Sequence, residues 1–306
     1  VTRGTPAITI LLVVTMALTF PFASTRAAVG EKAAGQIDPA ERYSVRFDPK
    51  AAQPGDLVKV EIRGPDAAQA EVEGSLGDQE LIFHPGGKGQ VNFSLAGIDL
   101  ERKPGWIPVT VRIHNRDGKG GIVRDSLRVL DKTFSVQRLQ IKEKPYTPRR
   151  LERIHAERER LDSIWAQTTP DRIWRGTFIP PLHRMTVTSA FGLRRFINGT
   201  PRQPHTGVDL RAAMGDTVFT TNRGKVALTG GLYFSGNTIV IDHGEGLYSM
   251  YFHLSGELVR EGDTVERGQP IGLVGSTGRA TGPHLHWGIV LRGARLDPLK
   301  ILDLRI

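Results

Sequence analysis

G-P-H-L-H-W-G, residues 282–288, sets His284 and His286 two positions apart. On an extended strand that spacing turns both imidazoles to one face, roughly 6.5 to 7 Å apart at the backbone, with Leu285 on the other face. One ring can then bind an ion while its neighbour stands a step away, and spacing alone does not say which. Upstream, H-T-G-V-D at residues 205–209 supplies His205 and Asp209, and Y-F-H-L at residues 251–254 supplies His253. His205 and Asp209 share strand parity, but about 13 Å of extended backbone separates them, so the segment must bend to bring both onto one ion. Gly207 tolerates unusual dihedrals and is the expected bend. A helical i, i+4 arrangement would also converge the pair, but Gly and Val are weak helix formers and T-G-V-D-L reads as strand.

Five of the nine histidines and the aspartate sit in these three segments or in the nearby I-D-H-G-E-G at residues 241–246, in a chain without cysteine. Structural zinc sites are typically closed and often use thiols, whereas catalytic ones take three N/O ligands and keep a fourth position open. A zinc ion here is therefore expected to be of the open kind. His243, in I-D-H-G-E-G, is expected to serve turn geometry. His84, His114, His155 and His183 carry no neighbouring ligands in sequence and are read as packed or surface residues.

The wider pattern of the second half is short strands and tight turns. G-D-T-V occurs at residues 215–218 and again at 262–265, and V-R-E-G-D-T-V-E-R-G-Q-P-I-G at 259–272 resembles biotinyl or lipoyl carrier domains. No M-K pair accompanies it, so the likeness bears on fold: antiparallel strands, each started by G-D after a bend.

Five motifs together resemble the lysostaphin-type zinc endopeptidases, which cut peptide bonds in bacterial peptidoglycan. They are G-T-F-I-P-P at 176–181, S-A-F-G-L-R at 189–194, H-T-G-V-D, Y-F-H-L, and G-S-T-G-R-A-T-G-P-H-L-H-W-G at 275–288. The resemblance implies that His205, Asp209 and His286 ligate one Zn2+, with His253 and His284 flanking the attacking water and the substrate carbonyl. It implies that His284 acts as general base and returns the proton to the leaving amine, while His253 donates a hydrogen bond to the oxyanion. Relatives include cutters of polyglycine bridges and of cross-links to meso-diaminopimelate, and direct cross-links in a periplasm are the expected target. Tyr251 and Phe252 are candidates for bordering the cleft, Arg194 is a candidate for meeting a carboxylate of the stem peptide, and residues 198–203 form a polar loop entering the metal motif. The alternative is a non-catalytic, peptidase-like regulator that activates other wall hydrolases; such relatives usually lack several ligands, and this chain keeps them all.

Ahead of this region, Val58, Val60 and Ile62 alternate with Lys59, Glu61 and Arg63, and Ile107, Val109, Val111 and Ile113 alternate with polar partners. Period two over short segments, including V-N-F-S-L at 91–95 and V-R-D-S-L-R-V-L at 123–130, with turn clusters at 85–89 and 116–121, predicts an immunoglobulin-like β-sandwich. P-R-R-L-E-R-I-H-A-E-R-E-R-L-D-S-I-W at 148–165 predicts one helix packed on its own chain, with Leu151, Ile154, Leu161, Ile164 and Trp165 as its stripe. The expected class is thus mainly β: a sandwich at 38–134, a helical linker at 135–175 and an antiparallel β zinc peptidase domain at 176–306.

Residues 7–22 form an uncharged, mostly apolar run preceded by Arg3 and followed by T-R-A at 25–27. It is shorter than the roughly 20 residues a spanning helix uses. Residues 1–28 therefore read as a cleaved signal peptide, which places the protein in the periplasm or outside the cell; an uncleaved signal is the expected route to any membrane contact. A net charge of +9 over 306 residues suits anionic polymers of many kinds. Export and the lack of a basic-aromatic motif argue against nucleic acid. Peptidoglycan peptides are the expected partner, with an envelope protein bound through the sandwich as a further expectation.

Overall fold

The computed structural model describes residues 42–86, 91–115, 120–140, 147–167 and 169–305. The expected signal at 1–28 and most of the two turn clusters at 85–89 and 116–121 lie outside the described residues. No described helix is long and apolar enough to cross a membrane.

Alternation in the first half builds two facing sheets. Their strands are β1 (Ser44–Asp48), β2 (Ala51–Ala52), β3 (Leu57–Arg63), β4 (Glu71–Leu76), β5 (Gln79–Ile82), β6 (His84–Pro85), β7 (Val91–Gly97), β8 (Gly105–His114) and β9 (Gly121–Val129). One sheet runs β1-β3-β7-β6 and the other β2-β9-β8-β4-β5. Val58, Val60 and Ile62 of β3 meet Val109, Val111 and Ile113 of β8 in a common core, all at 1% exposure or less. Burying each such side chain is worth roughly 1.5–3 kcal/mol. This is the sandwich that the period-two pattern predicts.

The second half is a longer series: β10 (Val136–Leu139), the helix Pro148–Ala166, β11 (Val187–Ser189), β12 (Arg194–Ile197), β13 (Thr200–Pro201), β14 (Gly207–Arg211), β15 (Thr217–Phe219), β16 (Gly224–Leu232), β17 (Gly236–Asp242), β18 (Leu247–Leu254), β19 (Gly256–Glu257), β20 (Thr264–Val265), β21 (Pro270–Leu273), β22 (His284–Leu291), β23 (Ala294–Leu296) and a short helix, Pro298–Leu302. The connector is not helical throughout, because β10 pairs in parallel with β12. The polar stretch before His205 is a hairpin: Asn198 and Gly199 both have positive φ (51° and 79°), and Ile197 pairs with Thr200. A two-residue Asn-Gly loop of that kind matches the twist of the strands it joins.

The main sheet runs β11-β14-β22-β18-β17-β16-β20, with β23 added beside β22. Both of its faces are covered over much of their length. Val208, Leu210, Tyr251, Leu285, Trp287 and Ile289 belong to the large core on one face. On the other, Leu161, Ile164 and Trp165 of the helix pack against Leu228, Val240, Tyr248, Met250 and Val290. The first turns of the helix lie beyond this contact, and Leu151 is 43% exposed. Gly288 lets the face narrow beneath the helix, since a Cβ there would lie 2.5 Å from the Met250 methyl.

Sandwich and main sheet share a core. Leu95 and Leu100 join Leu291, Ala294 and Leu296 in one apolar cluster. Polar contacts ring it: Arg295 donates Nε (3.0 Å) and Nη2 (2.7 Å) to the Asp99 carboxylate, Arg292 donates to the Leu95 carbonyl (2.8 Å), and Arg194 pairs with Glu101 (2.5 Å).

Candidate metal centre

Parity along β14 and β22 builds the site. Asp209 and His286 are cross-strand partners, and Leu285 and Trp287 between and beside the histidines are fully buried in the core. His284 and His286 therefore project from the opposite face, at the end of the sheet that the helix leaves open. His205 arrives from the residues just before β14, where its backbone is fixed by Leu193 and Gly192. The bend expected at Gly207 lies earlier: Gly207 is already strand, paired with Gly288, and has no positive φ. What Gly207 provides is room, since a Cβ there would sit 2.3 Å from the Trp287 carbonyl and 2.8 Å from His286 Nε2.

His205 Nε2, Asp209 Oδ1 and His286 Nδ1 lie 2.9 Å from one another in all three pairings. His205 Nδ1 donates to the Ala190 carbonyl (2.9 Å), which leaves Nε2 of the neutral ring as a lone pair aimed inward. Burial pushes His286 down from its ordinary value to about 4, so the ring is neutral near pH 7. Burial alone would raise Asp209, but the His205 and His286 rings beside it hold its carboxyl well below the usual range. Three electron-rich atoms thus share one point with too few protons to separate them, and they form the described group able to hold a metal ion. Two imidazoles and a carboxylate are the N/O donor set of an open catalytic site, so the residues present fit a metal ion such as zinc.

The His286 ring is oriented by packing. Its Nε2 is buried without a hydrogen-bond partner, while Phe252 stacks on it at 5.0 Å with an interplanar angle of 6°. Phe252, a candidate cleft residue in the sequence, thus clamps a ring of the site. Tyr251, the other candidate, is fully buried and its hydroxyl accepts from Thr221 N (3.0 Å), so it belongs to the core. His243 is also a core residue, held between the Arg223 carbonyl and Ser249 Oγ at 2.8 Å each.

His253 and His284 flank the triad, with ring centroids 4.8 Å apart. His284 Nδ1 donates to the Gly282 carbonyl (2.8 Å), leaving Nε2 as an acceptor 3.7 Å from Asp209 Oδ1. His253 Nδ1 donates to the Thr277 carbonyl (2.8 Å), so its Nε2 donates only when the ring carries both protons. Burial, the leading influence, lowers the His253 pKa, and the bond to Thr277 opposes it. His253 has φ 64°, a left-handed conformation uncommon outside glycine, in which Ser235 O accepts from its N–H at 2.8 Å. The carbonyls of Ala190, Thr277 and Gly282, which set three of the rings, were not among the residues singled out from sequence. The signal lay in the motifs S-A-F-G-L-R and G-S-T-G-R-A-T-G-P that contain them.

Residues 203–298 match the family model described as Peptidase family M23. That segment is a peptidase M23 domain. The match covers the residues that carry most of the lysostaphin-type motifs. Among curated relatives, the M23 domain region is 43% identical over 115 residues to peptidoglycan DD-endopeptidase ShyA of Vibrio cholerae, covering 37% of this chain and 27% of that protein. It is 36% identical over 126 residues to DD-carboxypeptidase/endopeptidase Mpg of Neisseria meningitidis, covering 41% and 29%. The chain therefore spans less than a third of the length of these relatives. A crystal structure of a candidate M23 peptidase from Pseudomonas aeruginosa is 28% identical, covers 81% of this chain and 94% of its own, and superposes with a TM-score of 0.63. That likeness extends beyond the M23 domain into the sandwich.

Proposed function

We propose that this protein is an exported zinc endopeptidase that hydrolyses peptide cross-links or stem peptides of peptidoglycan. In this reading residues 1–28 direct export to the periplasm or beyond, 38–134 form the sandwich, 135–175 the connector and 176–306 the peptidase. The observation that carries the proposal is the convergence of His205, Asp209 and His286 at 2.9 Å with two further histidines beside them. The named activities of ShyA and Mpg support the choice of substrate.

His205 Nε2, Asp209 Oδ1 and His286 Nδ1 would hold the ion, which when bound acidifies water and polarises a carbonyl. His284 Nε2 accepts the proton of the attacking water and later delivers it to the departing amine. His253 would donate Nε2–H to the oxyanion only in its doubly protonated form, which burial makes scarcer near neutral pH, so this contribution grows as the pH falls. The Thr277 and Gly282 carbonyls keep the two Nε2 atoms aimed at the reacting centre.

The experiment is digestion of purified peptidoglycan with and without a chelator, read by mass spectrometry for new amines at cross-links. His284→Ala should retain metal and lose roughly 10²–10⁴-fold in turnover. His286→Ala should lose the metal itself. Stimulation of another hydrolase without new termini would instead establish a regulator, and metal loss in His284→Ala would exchange the two histidines' roles.

A further inference from the structure

The open end of the sheet face presents a cation beside the proposed general base. On β14, Val208 and Leu210 are buried in the core at 1% and 0% exposure, so Asp209 and Arg211 turn to the other face. The register sets Asp209 opposite His286 and Arg211 opposite His284. Directly opposed residues of an antiparallel pair share a face and stand about 4.5–5.5 Å apart. Arg211 is exposed; its backbone N–H donates to the Thr186 carbonyl (2.9 Å), and its guanidinium makes no hydrogen bond or ion pair among the described residues. Arg194, the arginine that the sequence offered for a substrate carboxylate, is already paired with Glu101 and lies over the Phe134 ring at 5.4 Å. Arg195 donates to Gln137 Oε1 at 2.9 Å.

We infer that Arg211 is a specificity-determining residue that binds a carboxylate on the leaving side of the scissile amide. The inference rests on the endopeptidase reading, in which His284 hands its proton to the departing amine. The amine donor therefore lies on the His284 side of the site, and Arg211 is that residue's cross-strand neighbour. A guanidinium there selects an amine-donor residue with a free carboxylate on the carbon that bears the scissile nitrogen. A diamino dicarboxylic acid such as diaminopimelate has that group; lysine and a glycine bridge do not. The planar fork of arginine binds a carboxylate through two parallel hydrogen bonds, stronger than neutral ones.

Two synthetic cross-linked peptide dimers, identical except that this carboxylate is free in one and a carboxamide in the other, test the inference on the full chain. Binding is measured by calorimetry and cleavage by mass spectrometry. The wild-type protein should bind the free acid roughly 10- to 100-fold more tightly, with the difference falling in KM more than in kcat. Arg211→Met should bring the ratio between the dimers close to one. Arg211→Lys, which keeps charge without the fork, should keep part of it and leaves the test readable if Arg211→Met does not fold. Equal treatment of the dimers by the wild-type protein, or an unchanged ratio in the variants, overturns the role of Arg211. An Arg211-dependent binding preference with no cleavage of either dimer sustains that role and removes the endopeptidase reading.

Discussion

At the scale of single residues, packing holds the site as firmly as hydrogen bonding does. His205 is fixed through its second nitrogen, whereas His286 is held between the Phe252 ring and the space left by Gly207. Gly207→Ala should therefore cost about 1–3 kcal/mol of stability and lower metal affinity, read by urea unfolding and by metal titration. His243 makes a separate prediction, because burial lowers its pKa to about 4 from an ordinary value near 6.5. The folded protein takes up this proton less readily than the unfolded chain. Its contribution is thus complete above about pH 6.5 and is lost as the pH falls towards 4, on the order of 3 kcal/mol. Unfolding of His243→Gln measured from pH 7 to pH 4 should show a shallower loss than the wild-type protein. Residue types and spacing brought the five candidate residues forward, and the ordered resemblance, not spacing, divided them into three expected ligands and two flanking histidines. Sequence alone could not distinguish Arg194 from Arg211, because that depends on Glu101, which the fold brings to one and not to the other.

Elements were legible where one face meets water. β3 and β8 alternate cleanly, and the sequence marks them as strands; β18 and β22 are buried on both faces, so their alternation disappears. Turn chemistry is repeated more often than the G-D-T-V pair suggests. In P-G-D at 54–56, as in G-D at 215–216 and 262–263, a positive-φ glycine precedes an aspartate whose carboxylate accepts, at 2.8 Å, from the N–H three residues back. The helical stripe was read at full length, but among the described residues Leu161, Ile164 and Trp165 of its second half make the apolar contact with the sheet, while Leu151 is exposed. Ile164→Ala should cost about 2–4 kcal/mol and Leu151→Ala less than about 0.5, a contrast that thermal or urea unfolding of the two variants resolves.

Across the whole molecule, the sandwich and the main sheet meet through a shared apolar cluster and the Arg295–Asp99 pair, residues 196 positions apart. Burial raises the Asp99 pKa, and the hydrogen bonds from Arg295 more than reverse this, so the carboxylate is held ionised. Such long-range pairing leaves no local pattern, which is why the sequence separated the two modules without showing how they join. Arg295→Ala should lower stability by about 1–2 kcal/mol, and calorimetry of the wild-type protein should show the modules unfolding in one transition. β22 runs from His284 to Leu291, and its far end enters the cluster that contains Leu95 and Leu100. One strand, about 23 Å long, is thus both the floor of the candidate metal centre and the post on which the sandwich is mounted. Anything held by the sandwich would stand at a set distance and angle from the histidines, as work is held in a jig.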